Sequence, residues 1–264
     1  MLGFNGGLIG KARDTSLSAS VPGVWTPLEQ IKAERAIAWP PNLGEDPYFA
    51  NVSLLLRGDG ANGSTTFTDS SLNGFAMTAV GNAQISTTQS KYGGASMYFD
   101  GAGDYVESPS NSAFSYGTGD FTVEMWIYPP SGAANIRTFY NNLLSAPANT
   151  GFLCWMQPAA AGFYSIDVLQ SSAAYVINSS LNDIAAAQWS HFAACRSGTT
   201  LRLFVNGVQV SSGTMTTNVT ATQMRLASPL GNSSGSDWSG YIDDLRITKG
   251  VARYTSNFTP PGAL

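Results

Sequence analysis

Residues 189–210, WSHFAACRSGTTLRLFVNGVQV, limit the fold more than any other stretch. Leu201, Leu203 and Val205 alternate with Arg202, Phe204 and Asn206, the period of two that marks a half-buried strand. Asn206-Gly207 follows. Both residues tolerate positive φ, so the pair favours a type I′ turn, whose twist matches the strands it joins. Val208 and Val210 then begin a return strand. Upstream, residues 189–196 read as a further strand, closed by the turn-rich Ser197-Gly198-Thr199-Thr200. The stretch is a three-stranded meander and needs a larger sheet to join.

The rest of the chain supplies one. Residues 120–128 alternate cleanly, with Phe121, Val123, Met125 and Ile127 on one face and Thr122, Glu124, Trp126 and Tyr128 on the other. Shorter strands read at 53–57, 75–80, 83–87, 96–100, 104–107, 136–145, 151–157, 163–170, 174–178, 222–227 and 240–248. Gly, Asn and Ser turns join them. Many short strands at roughly ten-residue spacing, with almost no helix, predict an all-β, antiparallel two-sheet jelly-roll sandwich over residues 49–264. Only 11% of the residues are charged, so Ser, Thr, Asn and Gly must build its surface.

Residues 1–48 differ. Thr26, Pro27 and Glu29 form a helix start, with a T-x-x-E capping box and proline at the first position. Pro40-Pro41 closes a helix of about 27–39 after Trp39. Such a short helix is marginal alone and needs a surface to pack on. Trp25, Leu28, Ile31 and Trp39 are the residues expected to make an anchoring arm; the alternative is a terminal segment lying on its own domain. The net charge of −4 supplies no cationic face for nucleic acid. No run of about twenty apolar residues exists to insert in a membrane, and the opening residues lack the cationic leader of a signal peptide. Cys154 and Cys195 sit in separate strands, as buried thiols or as a disulfide between neighbours.

The runs KYGGASMYFDGAGDYVESPSNSAFSYGTGDFTVEMWIYP, WSHFAACRSGTTLRLFVNG and GYIDDLRITKGVARY together resemble the laminin-G/concanavalin-A-like lectin and glucanase jelly roll, over about residues 52–260. The resemblance implies two antiparallel sheets packed face to face. It also implies a curved face or loop rim where some members bind carbohydrate, and a structural calcium in many. The opening MLGFNGGLIGKAR with VPGVWTPLEQIKAERAIAWPP is similar to openings of tailed-phage structural proteins. The expectation is therefore a non-catalytic virion protein, assembled in the host cytoplasm as a capsid decoration or tail component. Its arm would bind other virion proteins, and its jelly roll would pack with sister copies as a homotrimer. The alternative is an adhesin or tail-fibre module for host glycans, and the least favoured is a glycoside hydrolase.

Glucanases of this fold carry paired carboxylates at E-x-D-x-x-E spacing, which places acid and nucleophile on one face. Glu124 has no such companion, and the lone His191 reads as structural. Asp243-Asp244 lie in an alternating strand, so one must share a face with apolar residues and needs a partner there. Calcium is one such partner, with Asp59 and Asp69 completing an oxygen set; a turn cap or a pair with Arg246 or Arg225 is the other. For carbohydrate, Trp238 and Asp237 in a polar loop, with Trp126 and Tyr128, are the candidate ligand-binding residues. A core role stays open for Trp238 and is favoured for Trp126.

Overall fold

A computed structural model describes residues 46–131, 137–142, 151–158, 163–170, 174–179, 183–229 and 236–264. The chain divides after Pro47. The expected arm, with Trp25, Leu28, Ile31, Trp39 and the helix at about 27–39, lies outside the described residues.

From Tyr48 onward the chain is a two-sheet antiparallel sandwich. The strands are β1 (Val52–Leu56), β2 (Thr78–Val80), β3 (Gln84–Ser86), β4 (Ser96–Asp100), β5 (Tyr105–Glu107), β6 (Phe121–Tyr128), β7 (Arg137–Asn141) and β8 (Phe152–Pro158). They continue as β9 (Phe163–Gln170), β10 (Ala174–Asn178), β11 (Ile184–Ala185), β12 (Ser190–Ser197), β13 (Thr200–Val205), β14 (Val208–Thr214), β15 (Arg225–Leu226) and β16 (Ser239–Lys249). The first sheet runs β14-β13-β12-β6-β16-β4-β3, with β1 also on β16; the second runs β10-β9-β8-β7-β15-β5-β2, with β11 on β9. The helical content described is two single 3-10 turns. The jelly roll read from the strand pattern is thus the fold observed.

The sheets meet as their alternation requires. Phe121, Val123, Met125 and Ile127 of β6 are fully buried against Phe139, Phe152, Cys154 and Met156 of the second sheet. Phe121 stacks on Phe152 at 5.1 Å, and Phe139 meets Phe192 edge-on at 4.9 Å. Each such ring, taken from water, contributes about 1.5–3 kcal/mol. Cys154 and Cys195 are free buried thiols, one in each sheet. Burial pushes the Cys195 thiol up to about 12.

The meander forms as read. Asn206 and Gly207 take φ of 50° and 78° at the β13–β14 turn, and the Asn206 carboxamide oxygen accepts from the His191 N–H at 2.9 Å. A side chain at Gly207 would collide with the Phe258 carbonyl oxygen, because the chain after β16 returns over this turn.

Strand β16 departs from simple alternation. It pairs with β6 along one edge, and with β4 and then β1 along the other. Its register against β6 shifts between Asp243 and Arg246, and Asp244 has φ 46°. This is a β-bulge, one extra residue that restarts the alternation. Ile242, Leu245 and Ile247 therefore all face the core. Unbroken alternation along the strand would have placed Asp243 with Leu245 and Ile247; instead Asp243 sits opposite Trp126, and Arg246 opposite Glu124, on the outer face. Trp238 also differs from its reading as a loop aromatic. It has no exposed surface and packs edge-on against Phe139 at 5.8 Å. Its main-chain N–H donates to the Ala227 carbonyl at 2.7 Å, which ties it to the second sheet.

Candidate functional site

The outer face of the first sheet carries a polar network, an acid pair and a row of rings. The network centres on Glu124, which has no exposed surface. Its Oε1 accepts from Arg246 Nε at 2.9 Å, with Arg246 Nη2 at 2.8 Å and Arg253 Nε at 3.8 Å. Its Oε2 accepts from the Tyr254 hydroxyl at 2.8 Å, and His191 Nε2 stands 3.4 Å away. Burial alone would raise the carboxyl; His191, Arg246 and Arg253 outweigh it and hold the group at about 2. A carboxylate so enclosed has neither a proton to give at neutral pH nor access to a substrate. His191 lies beside it in the buried layer.

The chain after β16 covers this network. Tyr254 and Phe258 stack at 3.5 Å and rest on Phe204. The Phe258 N–H donates to the Gly207 carbonyl at 2.9 Å, and the Leu264 N–H to Asp244 Oδ2 at 3.1 Å.

Asp243 and Asp244 are both buried. Asp243 Oδ2 accepts from the N–H groups of Lys91 and Tyr92 at 2.7 and 3.1 Å. Desolvation raises Asp243 to about 7 and Asp244 to about 6, the latter with Asp59 adding repulsion and Arg57 and Arg246 opposing it. Asp69 stands apart, below the β1 loop. It accepts from the N–H groups of Leu55, Ser71 and Phe75 and from the Ser71 hydroxyl, at 2.8–3.0 Å. Among the described residues no group of three or more His, Cys, Asp or Glu is placed to hold a metal ion. Among the described residues Asp59, Asp69, Asp243 and Asp244, the set expected for calcium, do not form such a group.

These shifts have a consequence for stability. Asp243 and Asp244 titrate near 7 and 6 in the fold against an ordinary 3.8, so the folded chain holds more protons across that window. Their contribution is complete below 3.8 and lost as pH rises to 7. Glu124 runs oppositely: held at about 2 against 4.5, its contribution is lost as pH falls through that range. The melting temperature is expected to peak at about pH 4–5 and decline toward about pH 7.5. Asp243→Asn should flatten that decline. A melting temperature that rises between pH 5 and 7.5 contradicts this account.

A row of rings also lies on this face. Tyr98 of β4, Tyr241 of β16 and Tyr128 of β6 are cross-strand partners, and Trp189, just before β12, lies against Tyr128. All four are part-exposed. Their centroids step at 5.0, 5.8 and 5.4 Å. Beside the row are Asn82 and Asp100, both exposed, with Asn82 Nδ2 donating to Asp100 Oδ2 at 3.0 Å.

Of the residues named from sequence, Tyr128 belongs to this row. Trp126 lies one step inward and is 7% exposed, beneath the Lys91 ammonium at 3.9 Å from its ring centre. Asp237 is buried, with Oδ2 accepting from the Gly103 N–H at 3.0 Å. Trp238 is core and presents no surface to a ligand. Tyr98, Tyr241 and Trp189 were not anticipated. A register argument pairing outward aromatics of neighbouring strands would have found them.

Solved structures of this fold share the sandwich. Domain 4 of AbnA, a GH43 extracellular arabinanase from Geobacillus stearothermophilus, in complex with arabinotriose, is 19% identical with a TM-score of 0.53, covering 76% of this chain and 93% of that one. The botulinum neurotoxin serotype D binding domain is 14% identical with a TM-score of 0.57, covering 78% and 50%. The neurotoxin DC binding domain in complex with rat synaptotagmin II is 16% identical with a TM-score of 0.57, covering 77% and 49%. The chain thus spans about half the length of the neurotoxin domains it matches. No curated protein matches its sequence. The sequence model of the concanavalin A-like lectin/glucanases superfamily matches residues 100–253, more than half of the chain, and the protein belongs to that superfamily.

Proposed function

We propose that the protein is a non-catalytic carbohydrate-binding jelly roll, carried on a tailed-phage particle by residues 1–48. The observation that carries the binding reading is the part-exposed row Tyr98–Tyr241–Tyr128–Trp189. A sugar presents C–H groups on its ring faces and hydroxyls at its rim. The former suit the negative faces of aromatic rings, and the latter suit polar groups beside them. Asn82 and Asp100 are such groups. The relatives support the reading: one is solved with arabinotriose, and another is described by its dependence on two ganglioside molecules. The saturated, fully buried Glu124 supports the absence of hydrolysis.

The virion setting rests on the sequence of residues 1–48. Of the two roles open to such a protein, packing with sister copies as a homotrimer or holding a host-surface glycan, the part-exposed ring row favours the second. A glycan array probed with the full chain and with Trp189→Ala tests it. The full chain is expected to bind at least one glycan class, and the variant to lose about tenfold or more in affinity with an unchanged melting temperature. A blank array sinks the binding reading. Retention of a chain lacking residues 1–45 on purified particles sinks the anchor.

A further inference from the structure

The chain that follows β16 is built unlike the sheet it covers. Residues 251–264 form neither strand nor helix, and every residue from Gly250 to Leu264 keeps part of its surface in water. The apolar residues sort the same way. The core between the sheets ends, along the chain, at Ile247. Tyr254 and Phe258 pack instead on a separate, smaller cluster of Ala193, Cys195 and Phe204, on the outer face of the first sheet. Among the described residues no side chain belongs to both clusters. Taking the segment off its seat therefore removes nothing from the main core.

The floor beneath the segment is suited to water. Glu124, Arg246 and His191 meet there, residues of the kind that an open sheet face carries. Enclosing their charges costs desolvation, and returning them to water recovers it. What opening loses is then the packing of the Tyr254 and Phe258 rings and a short set of hydrogen bonds. The Thr122 hydroxyl donates to the Val251 carbonyl at 3.0 Å, the Tyr254 hydroxyl to Glu124 Oε2 at 2.8 Å, and the Gln209 N–H to Asn257 Oδ1 at 2.8 Å. Gly250 is placed to act as a pivot. It is exposed, with φ 83°, and a side chain there would meet nothing nearer than Asn51 Nδ2 at 3.7 Å. Its N–H donates to the Asp120 carbonyl at 2.8 Å, which fixes the pivot to the sheet.

We infer that residues 251–264 are a strap that lifts as a unit about Gly250 while the sandwich stays folded, and that the closed strap withholds a strip of the first sheet bearing Glu124, Arg246, His191 and Phe204. The strip sets a carboxylate and a guanidinium beside an aromatic ring, a surface that only the lifted form presents. Such an opening has a free energy of its own, below that of global unfolding. It does not depend on what the ring row binds.

The free cysteines are built-in reporters. Cys195 lies under the strap, with the Thr122 side chain and the Tyr254 main chain as hydrogen-bond partners, whereas Cys154 lies in the core between the sheets. Both are fully buried, and burial keeps both thiols protonated and unreactive in place. The full chain is incubated with a maleimide at neutral pH, in buffer and in urea below the unfolding transition. Labelling of each cysteine is followed by peptide mass spectrometry. Cys195 is expected to label about tenfold or more faster than Cys154. Its rate should hardly change with urea, because lifting the strap exposes little surface, while that of Cys154 should climb steeply. Phe258→Ala, which removes one of the strap's rings, should speed Cys195 by about tenfold or more. Ile127→Val thins the main core and leaves the strap's seat alone. It should speed Cys154 by about fivefold and leave Cys195 within about twofold of the parent. Cys195 labelling no faster than Cys154, or an Ile127→Val that speeds both alike, overturns the inference: the segment then parts from the sheet only when the whole domain unfolds.

Discussion

Glu124→Ala is expected to lower the unfolding free energy by about 3–5 kcal/mol, measured by urea denaturation at neutral pH. The side chain has no exposed surface, and its two oxygens gather Arg246, Arg253, Tyr254 and His191. Truncation removes the acceptor and leaves two guanidinium groups facing each other in a dry layer. That uncompensated charge, rather than the lost pair itself, is the main cost. For a chain of this length it is a drop of roughly 10 °C in melting temperature. Glu124→Gln should cost less, since the amide oxygen still accepts. The double variant Glu124→Leu/Arg246→Met should recover much of the loss, because it removes an acceptor and a donor together. If Glu124→Ala unfolds at the parent's urea midpoint, the network is not what fixes the returning chain to the sheet.

Trp238→Ala is the second large effect, with an expected cost of about 3–5 kcal/mol. The indole is fully buried against Phe139 at the start of β16, and its removal leaves a hole between the sheets. Its position in sequence, after Gly235-Ser236-Asp237, invites the opposite expectation, a binding role with little effect on stability. The two expectations separate cleanly. A core role predicts a reduced melting temperature with glycan affinity unchanged well below it. A binding role predicts lost affinity at an unchanged melting temperature.

What could be read from the sequence follows from the range of each signal. The β12–β14 meander and the faces of β6 were legible because period-two alternation and the positive φ of Asn206-Gly207 are local properties. The bulge at Asp244 was not, since alternation on either side of it looks unbroken until the partner strand shows which residues face inward. Trp238 was ambiguous because its neighbours are polar while its ring is not. The ring row was the hardest to see. Tyr98, Tyr241, Tyr128 and Trp189 sit in four separate segments, and each alone reads as an ordinary strand aromatic. Only the register of β4, β16, β6 and β12 places them side by side. The segment after β16 likewise carried no strand or helix signal, yet it closes over Glu124 through Tyr254 and Phe258.

The place of β16 bears on how this domain comes into being. β4 and β6 have no edge in common; they are joined only through β16, which also receives β1. On a ribosome, the strands of the first half emerge long before the one that must lie between them. Until Ser239–Lys249 is released, β4, β6 and β1 present unpaired edges, the situation that invites association between nascent chains. Closing loops that reach from β1 to β16 is a slow search, so folding in about milliseconds to seconds rather than microseconds is in keeping with this topology. Chains finished and released, rather than chains still being made, are then the ones that carry a closed first sheet.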